Sequence, residues 1–307
     1  MTTMLVTLRR WIDGDLFYSF RQSPAVVVAA VVALTIILAA VFAPLVSPFN
    51  PFDPGAVRLM DAFTPPAWTD AGQVQFLLGT DDQGRDLFST ILYGSRVSLL
   101  VGFSAIAFAA IFGTLLGVLC GYVGGWLDIA VMRLADVQLT IPSILIALMI
   151  DGAARTALPR ELHHEIAIFV LIFAIGIADW PQFARVARSA ALVERNRDYV
   201  ASARVIGLPS WAIVLRHVLP NTLGPVLVLA TVGLALAVLS EATLSFLGVG
   251  VPPTQPSLGT LIRVGQSFLF SGEWWITFFP ALTLVLLVLA VNVLGDWLRD
   301  ALNPKLR

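Results

Sequence analysis

Long apolar runs alternate with polar segments along this chain of 307 residues, and the runs predict membrane-spanning helices. The first run, at residues 25–46, contains no charged residue. At about 1.5 Å per residue it is long enough to cross the ~30 Å hydrocarbon core of a bilayer. Five further runs follow at 97–120, 127–150, 166–178, 223–247 and 275–294. The pattern therefore predicts an all-α membrane protein with six transmembrane helices.

Composition agrees with a protein that has lipid as part of its solvent. Charged residues make up 13% of the chain, against about 25% in soluble domains. The net charge of −1 gives no reason to expect nucleic acid as a partner. The one cysteine, Cys120, lies in an apolar run and is interpreted as a small buried side chain, with no disulfide framework or thiolate metal site.

The distribution of Lys and Arg predicts the orientation. With the N-terminus inside, 13 of the 19 basic residues fall on the inner side and six on the outer side. The positive-inside rule then places both termini in the cytoplasm. The expected order is a cytoplasmic segment (1–24), an uncleaved first helix (25–46), an extracytoplasmic loop (47–96), a transmembrane core (97–297) containing a cytoplasmic loop (181–222), and a cytoplasmic tail (298–307).

The cytoplasmic loop contains the stretch DYVASARVIGLPSWAIVLRHVLPN, residues 198–221, which is too polar to span a bilayer. Ala, Arg, Leu and Val predict a helix over 181–206, and Gly207 can take the left-handed position that ends it. The turn at 208–210 leads to a second helix over 211–219, which Pro220 is expected to stop.

The second helix of this loop is amphipathic. Trp211, Val214, Leu215 and Val218 recur at i, i+3, i+4 and i+7, which gives one apolar stripe. Such a helix can lie on lipid headgroups, fit a groove on a partner protein, or pack on the protein's own surface. The periodicity alone leaves these alternatives open.

The spacing of Ala203, Gly207 and Pro220 resembles the cytoplasmic "EAA" loop of binding-protein-dependent ABC importer permeases. The chain departs from that motif at its Glu, which is Ala201 here, and at its first Ala, which is Ser202. Asp198 and Glu194, one and two turns earlier, are candidate substitutes for the missing acid. Segments similar to dipeptide and oligopeptide permeases, and to their C-type subunit in the loop, occur at 77–102, 121–143, 192–207, 240–262 and 294–307.

The resemblance implies a type I importer permease (MetI-like) fold in a bacterial inner membrane. It implies a second permease subunit, two cytoplasmic ATPases that bind ATP and Mg, an extracytoplasmic substrate-binding protein, and dipeptides or short oligopeptides as substrates. Nickel chelates or opines are the alternative substrates of related importers. The implied ATPase-coupling residues are Ala201, Ser202, Ala203, Gly207, Ser210, Trp211, Val214, Leu215 and Pro220.

The sequence predicts no catalytic site, cofactor or metal site in this chain itself. It contains no G-x-x-x-x-G-K-[ST] phosphate loop, so ATP hydrolysis is expected on another polypeptide. His163 and His164 are neighbours that do not face each other on a helix, which argues against a closed metal site.

Three charged residues are candidates for a translocation path or gate. Glu241 lies late in the fifth apolar run, where it could line the path or cap a broken helix. Arg133 and Asp136 are spaced i, i+3 near the cytoplasmic face, where a mutual ion pair is the simplest interpretation and a gate the alternative.

Two other classes of function are weighed against the importer. A secondary transporter would need ionisable residues or broken helices in matching halves of a repeat, and no convincing repeat is seen. An intramembrane hydrolase would need a Ser–His or paired Asp arrangement at membrane depth, and no histidine lies in a predicted span.

Overall fold

The computed structural model describes residues 15–53, 55, 57–157, 159, 163–252 and 255–301, and the side chains within these ranges except those of residues 15–17 and 163–165. Helices account for the regular structure of this part of the chain, beside one isolated bridge between Thr80 and Asp86. The helices are α1 (Asp15–Gln22), α2 (Pro24–Val41), α3 (Ala43–Val46), α4 (Leu87–Val123), α5 (Gly125–Leu139), α6 (Ser143–Ala157), α7 (His163–Glu194), α8 (Asp198–Val205), α9 (Ser210–Ile213), α10 (Leu219–Phe246), α11 (Leu258–Gln266) and α12 (Trp275–Ala301).

Five continuous helical segments of the described chain are long and apolar enough to cross a membrane: α2, α4, α7, α12, and the stretch from α9 to the end of α10. This confirms the prediction of an all-α, multi-span protein. The predicted third span at 127–150 is not one straight helix, because α5 and α6 meet at an angle of 96°. Pro142 lies in the break, where it lacks a backbone donor and disfavours helix at the preceding residue. The count is six spans when this bent pair is taken as one.

Helix α4 begins ten residues before the run predicted at 97–120. Asp86 precedes it, and its carboxylate accepts a hydrogen bond from the backbone N–H of Ser89 at 2.8 Å. This N-cap satisfies an amide at the start of the helix that has no partner within it. The last ten residues of the predicted 47–96 loop are therefore helical.

The helix expected over 181–206 is wrong at its start and in its continuity. Pro181 lies inside α7, which runs from His163 to Glu194. The chain then breaks at 195–197, and Arg197 takes an extended conformation before α8 begins at Asp198. The expected stop at Pro220 is also wrong, because Pro220 lies in the first turn of α10. A proline in a first helical turn has no intrahelical acceptor to lose, so the chain continues as helix.

The loop end of the bundle, formed by the described residues of 47–86 and 247–274, is held by buried polar contacts. Arg85 and Asp81 form an ion pair at 2.6 Å, and both side chains are buried. The indole N–H of Trp275, at the start of α12, donates to the carbonyl of Thr80 at 3.1 Å. Burial, with the neighbouring Asp81 charge, raises the pKa of Asp82. Residues 78–86 are thus tied into the loop end by hydrogen bonds and an ion pair.

Helices α4 and α7 pack with their backbones in close approach. Gly113, Gly117 and Gly121 recur every fourth residue on one face of α4. A Cβ added at these positions would lie 2.5, 2.3 and 2.7 Å from carbonyl oxygens of α7, those of Trp180, Ala184 and Arg188. Small residues spaced in this way let two membrane helices gain van der Waals contact that larger side chains would prevent.

We expect Gly117→Ala to force α4 and α7 apart, because the added methyl group meets a backbone carbonyl that cannot move aside. The cost should be about 1–3 kcal/mol, typical of overpacking. It would be measured as a lower melting temperature of the purified protein in detergent. Gly152→Ala in α6 is the matched control, since its methyl group meets nothing within 4 Å. An equal loss in both variants would contradict the close-packing argument.

Candidate functional site: the hairpin and the charged residues of the bundle

The hairpin between α8 and α9 turns at Gly207, which has a φ of +87°. The N–H of Leu208 donates to the carbonyl of Ala203 at 3.1 Å, and that of Gly207 donates to Arg204 at 3.0 Å. These two bonds form a Schellman motif, with glycine in the left-handed C′ position. The prediction that Gly207 ends the first helix of the hairpin is confirmed.

The tip of the hairpin exposes a group of apolar side chains that we name the hairpin patch. Val205 is 88% exposed, Ile206 78%, Trp211 65% and Leu215 52%, and Leu208 completes the group. Clustered exposed apolar side chains mark interaction surfaces. Helical periodicity does not reveal Val205 and Ile206, the most exposed members, because they lie beside the turn and not in the second helix; apolar residues next to Gly207 are the signal that would have found them.

The stripe predicted from i, i+3, i+4, i+7 spacing is wrong as a single surface. Val218 is fully buried, while Trp211 and Leu215 are exposed and Val214 is intermediate. The reason is a π-helical turn at Val214–Val218, which widens the helix and shifts later residues around its axis. The buried face of the second arm is formed instead by Ala212, Ile213 and Val218.

The remaining residues implied for coupling are divided between surface and interior. Ala203 is buried, and the exposed positions are Ala201, Ser202, Gly207, Ser210 and Pro220. The structure therefore brings most of this group to the surface of the hairpin.

Contacts join the hairpin to the ends of α4, α7 and α10. The Arg204 guanidinium lies 5.4 Å from the ring centroid of Tyr122, near the end of α4. The Tyr199 hydroxyl donates to the Glu194 carboxylate and accepts a hydrogen bond from Asn221 at 3.1 Å. Burial, together with the Glu194 carboxylate, raises the pKa of the Tyr199 hydroxyl.

Of the two acids considered as substitutes for the missing Glu, only Glu194 has a side chain that hydrogen-bonds or pairs with another described residue. Besides the Tyr199 hydroxyl, its carboxylate lies 3.9 Å from Arg197. Asp198 is exposed, and no hydrogen bond or ion pair joins its side chain to another described residue.

The expected Arg133–Asp136 pair is wrong. Asp136 pairs with Arg185 of α7, and Arg133 is exposed. Two turns closer than Asp136 to the start of α5, Asp128 forms a two-point ion pair with Arg188, with Nη2 and Oδ2 2.6 Å apart. These contacts arise because α5 lies antiparallel along α7, so acids on one face of α5 meet arginines of α7.

Glu241 is fully buried and does not line an open path in this conformation. Its carboxylate accepts hydrogen bonds from Ser98 of α4 at 2.6 Å and from Ser245 of α10 at 2.7 Å. The Ser98 oxygen also accepts the N–H of Leu258, the first residue of α11, at 3.2 Å. Near the loop end, the carboxylate thus connects α10 to α4 and, through Ser98, to α11.

The side chains of His163 and His164 lie outside the described residues. Among the described residues, no group of three or more His, Cys, Asp or Glu is placed to hold a metal ion.

Comparison with known proteins identifies the family. Residues 113–307 match the model of the binding-protein-dependent transport system inner membrane component. The chain belongs to this permease family. Residues 14–66 match a second model, the N-terminal transmembrane domain of oligopeptide transport permease C. The two models together cover both ends of the permease.

Relatives align along almost the whole permease. It is 37% identical to the dipeptide transport system permease protein DppC of Haemophilus influenzae over 95% of each chain. It is 38% identical to the di/tripeptide transport system permease protein DppC of Pseudomonas aeruginosa, over 95% of this chain and 92% of the relative. The DppC protein of Escherichia coli strain K12 is also 38% identical, over 95% and 93%.

A solved structure supports the fold. A chain of the inward-facing MetNI methionine ABC transporter superposes with a TM-score of 0.53, covering 70% of this permease and 96% of that chain. The sequence identity is 21%. The predicted type I importer permease fold is confirmed by this likeness.

We expect Gly207→Val to loosen the hairpin without creating a steric clash, since a Cβ there meets nothing within 4 Å. The left-handed conformation costs a branched residue roughly 1–2 kcal/mol. Local opening should raise hydrogen exchange of the Gly207 and Leu208 amides by about 5- to 30-fold, measured by mass spectrometry. Gly207→Asn is the control, because asparagine tolerates this conformation. Unchanged exchange in Gly207→Val would refute the cap assignment.

Proposed function

We propose that this permease forms, with a second permease subunit, the membrane path of an ATP-driven importer for dipeptides or short oligopeptides. A substrate-binding protein delivers the peptide to the loop end, which faces outward. Two separate ATPases supply the energy from the cytoplasm, where both termini lie. Support for the peptide substrate comes from relatives named as dipeptide and di/tripeptide permeases.

The observation that carries the proposal is the hairpin patch. Its apolar side chains project from a turn fixed by two backbone hydrogen bonds, in a chain with no phosphate loop of its own. An amphipathic helix that projects from a membrane domain can fit its apolar side chains into a groove of a partner protein. We assign the groove to the ATPase and the patch to its docking.

Energy coupling follows from how the hairpin is attached. Helix α8 follows α7 after a break of three residues, and Arg204 and Tyr199 contact the ends of α4 and α10. When ATP binding draws the two ATPases together, the hairpins move with them. The motion passes into α4 and α7, and the bundle opens toward the loop end to admit a peptide between the two permeases.

The docking role is tested by charging the patch. We expect the double variant Ile206→Glu, Trp211→Glu to lose the ATPase subunits during purification in mild detergent, because two carboxylates would have to be desolvated in the apolar contact. Co-purifying proteins are identified by mass spectrometry and compared with those of the native chain. Retention of the second permease in the same sample shows that the variant is folded.

Met60→Glu is the matched control for this experiment. It places one carboxylate on a residue that is 97% exposed at the loop end, and it should retain the ATPases. ATPases that stay bound to the double variant would contradict docking through the patch. A native chain that purifies alone and moves a solute into liposomes without ATP would instead indicate a secondary transporter.

A further inference from the structure

Asp179 is an ionisable residue roughly half-way along α7, the helix that leads into the hairpin. Its side chain is partly buried. No hydrogen bond or ion pair joins its carboxylate to another described residue. The other acids of the inner helices differ: Glu241 accepts two hydroxyl hydrogen bonds, Asp136 and Asp128 pair with arginines of α7, and Asp151 pairs with Arg155.

A narrow recess lies beside Asp179, between α6, α7 and α10. Its polar walls are Ser143, the first residue of α6, and Ser240 of α10. The apolar walls are Ile144, Ala147, Ile175 and Ala178. The recess leaves no room for a water molecule in this conformation. It lies where the bent pair α5–α6 opens, next to the break at 140–142.

A carboxylate at this depth needs a counter-charge or water. Ionisable groups that face hydrocarbon are costly, so they face the interior of a bundle or a polar cavity. The N-terminus of α6 favours negative charge nearby, but the field of one helix end is weaker than the cost of desolvating a carboxylate. The nearest arginines along α7, Arg185 and Arg188, are already paired with Asp136 and Asp128.

We propose that Asp179 binds the positively charged amino group of a solute as it passes through the permease. This inference rests on the proposed function and adds one recognition point within the path. A primary ammonium carries three N–H donors. Asp179 supplies the charged acceptor, and the adjoining Ser143 and Ser240 supply hydroxyl acceptors once the recess opens. Broken helices flanking such a point are a recurrent device of transporter binding sites.

Uptake by the reconstituted complex tests the charge requirement. The native chain, its partner permease, the ATPases and the binding protein are placed in liposomes, and ATP-driven uptake of a labelled dipeptide is measured. We expect Asp179→Asn to slow uptake about tenfold or more, the effect of losing one charge-assisted hydrogen bond. Asp179→Glu should recover part of the rate. Binding-protein-stimulated ATP hydrolysis should persist in both variants.

Asp296→Asn is the matched control, since it neutralises an exposed carboxylate near the end of α12 and should leave uptake unchanged. If the native complex moves no peptide, the result contradicts both the proposed function and this inference. If the native complex moves peptide and Asp179→Asn moves it equally fast, only the inference falls.

Thiol labelling tests whether position 179 lines the path or is packed against neighbouring helices. The chain has one cysteine, the buried Cys120, so a Cys120→Ser background leaves Asp179→Cys as the single thiol. A cationic methanethiosulfonate reagent should label position 179 during ATP turnover, and excess dipeptide should slow the labelling. A thiol that stays unreactive in every nucleotide state would overturn the inference, even if Asp179→Asn is inactive, because the position would then be closed to the path.

Discussion

The close contact between α4 and α7 is the constraint on which the rest of the structure depends. Three glycines, at positions 113, 117 and 121, let the α4 backbone come so close to carbonyl groups of α7 that an added methyl group would clash with them. In a membrane, where apolar side chains gain little by leaving lipid, such van der Waals contact is a main source of association. The pair forms a spine along which the shorter elements are arranged: α5 is held to α7 by two ion pairs, and Glu241 ties α10 and α11 to α4.

The hairpin is attached to this spine at more than one point, and that arrangement gives the proposed coupling its physical basis. Arg204 contacts Tyr122 at the end of α4, and Arg195 donates to the Gly121 carbonyl at 2.9 Å. A force applied to the exposed patch therefore acts on both helices of the spine. The same helix α7 carries Asp179 half-way along its length, so one element joins the surface that takes up ATPase motion to the candidate recognition point for the solute.

Much of this organisation could be predicted from the sequence, because apolar runs and a glycine in a left-handed turn are local signals. Gly207 was placed correctly for that reason. The predictions that proved wrong concern positions where tertiary contacts determine the structure. Pro220 reads as a stop, yet it lies in the first turn of α10, directly after a π turn, and the helix continues. Asp136 reads as the partner of Arg133, yet α7 offers Arg185 across the interface. Asp179 was overlooked because its charge ended the apolar run at 178, although α7 extends well beyond it.

In the proposed coupling, α4 and α7 move as one body when the hairpin moves. Pulsed electron paramagnetic resonance tests it on the assembled complex, with spin labels at exposed positions in a Cys120→Ser background. One pair, at Leu119 of α4 and Val193 of α7, lies within the spine, and a second, at Val193 and Asp296, joins the spine to α12. Between the nucleotide-free and ATP-trapped states, we expect an unchanged distance within the spine and a shift of several ångströms between Val193 and Asp296. A shift within the spine as large as that between the spine and α12 would contradict it.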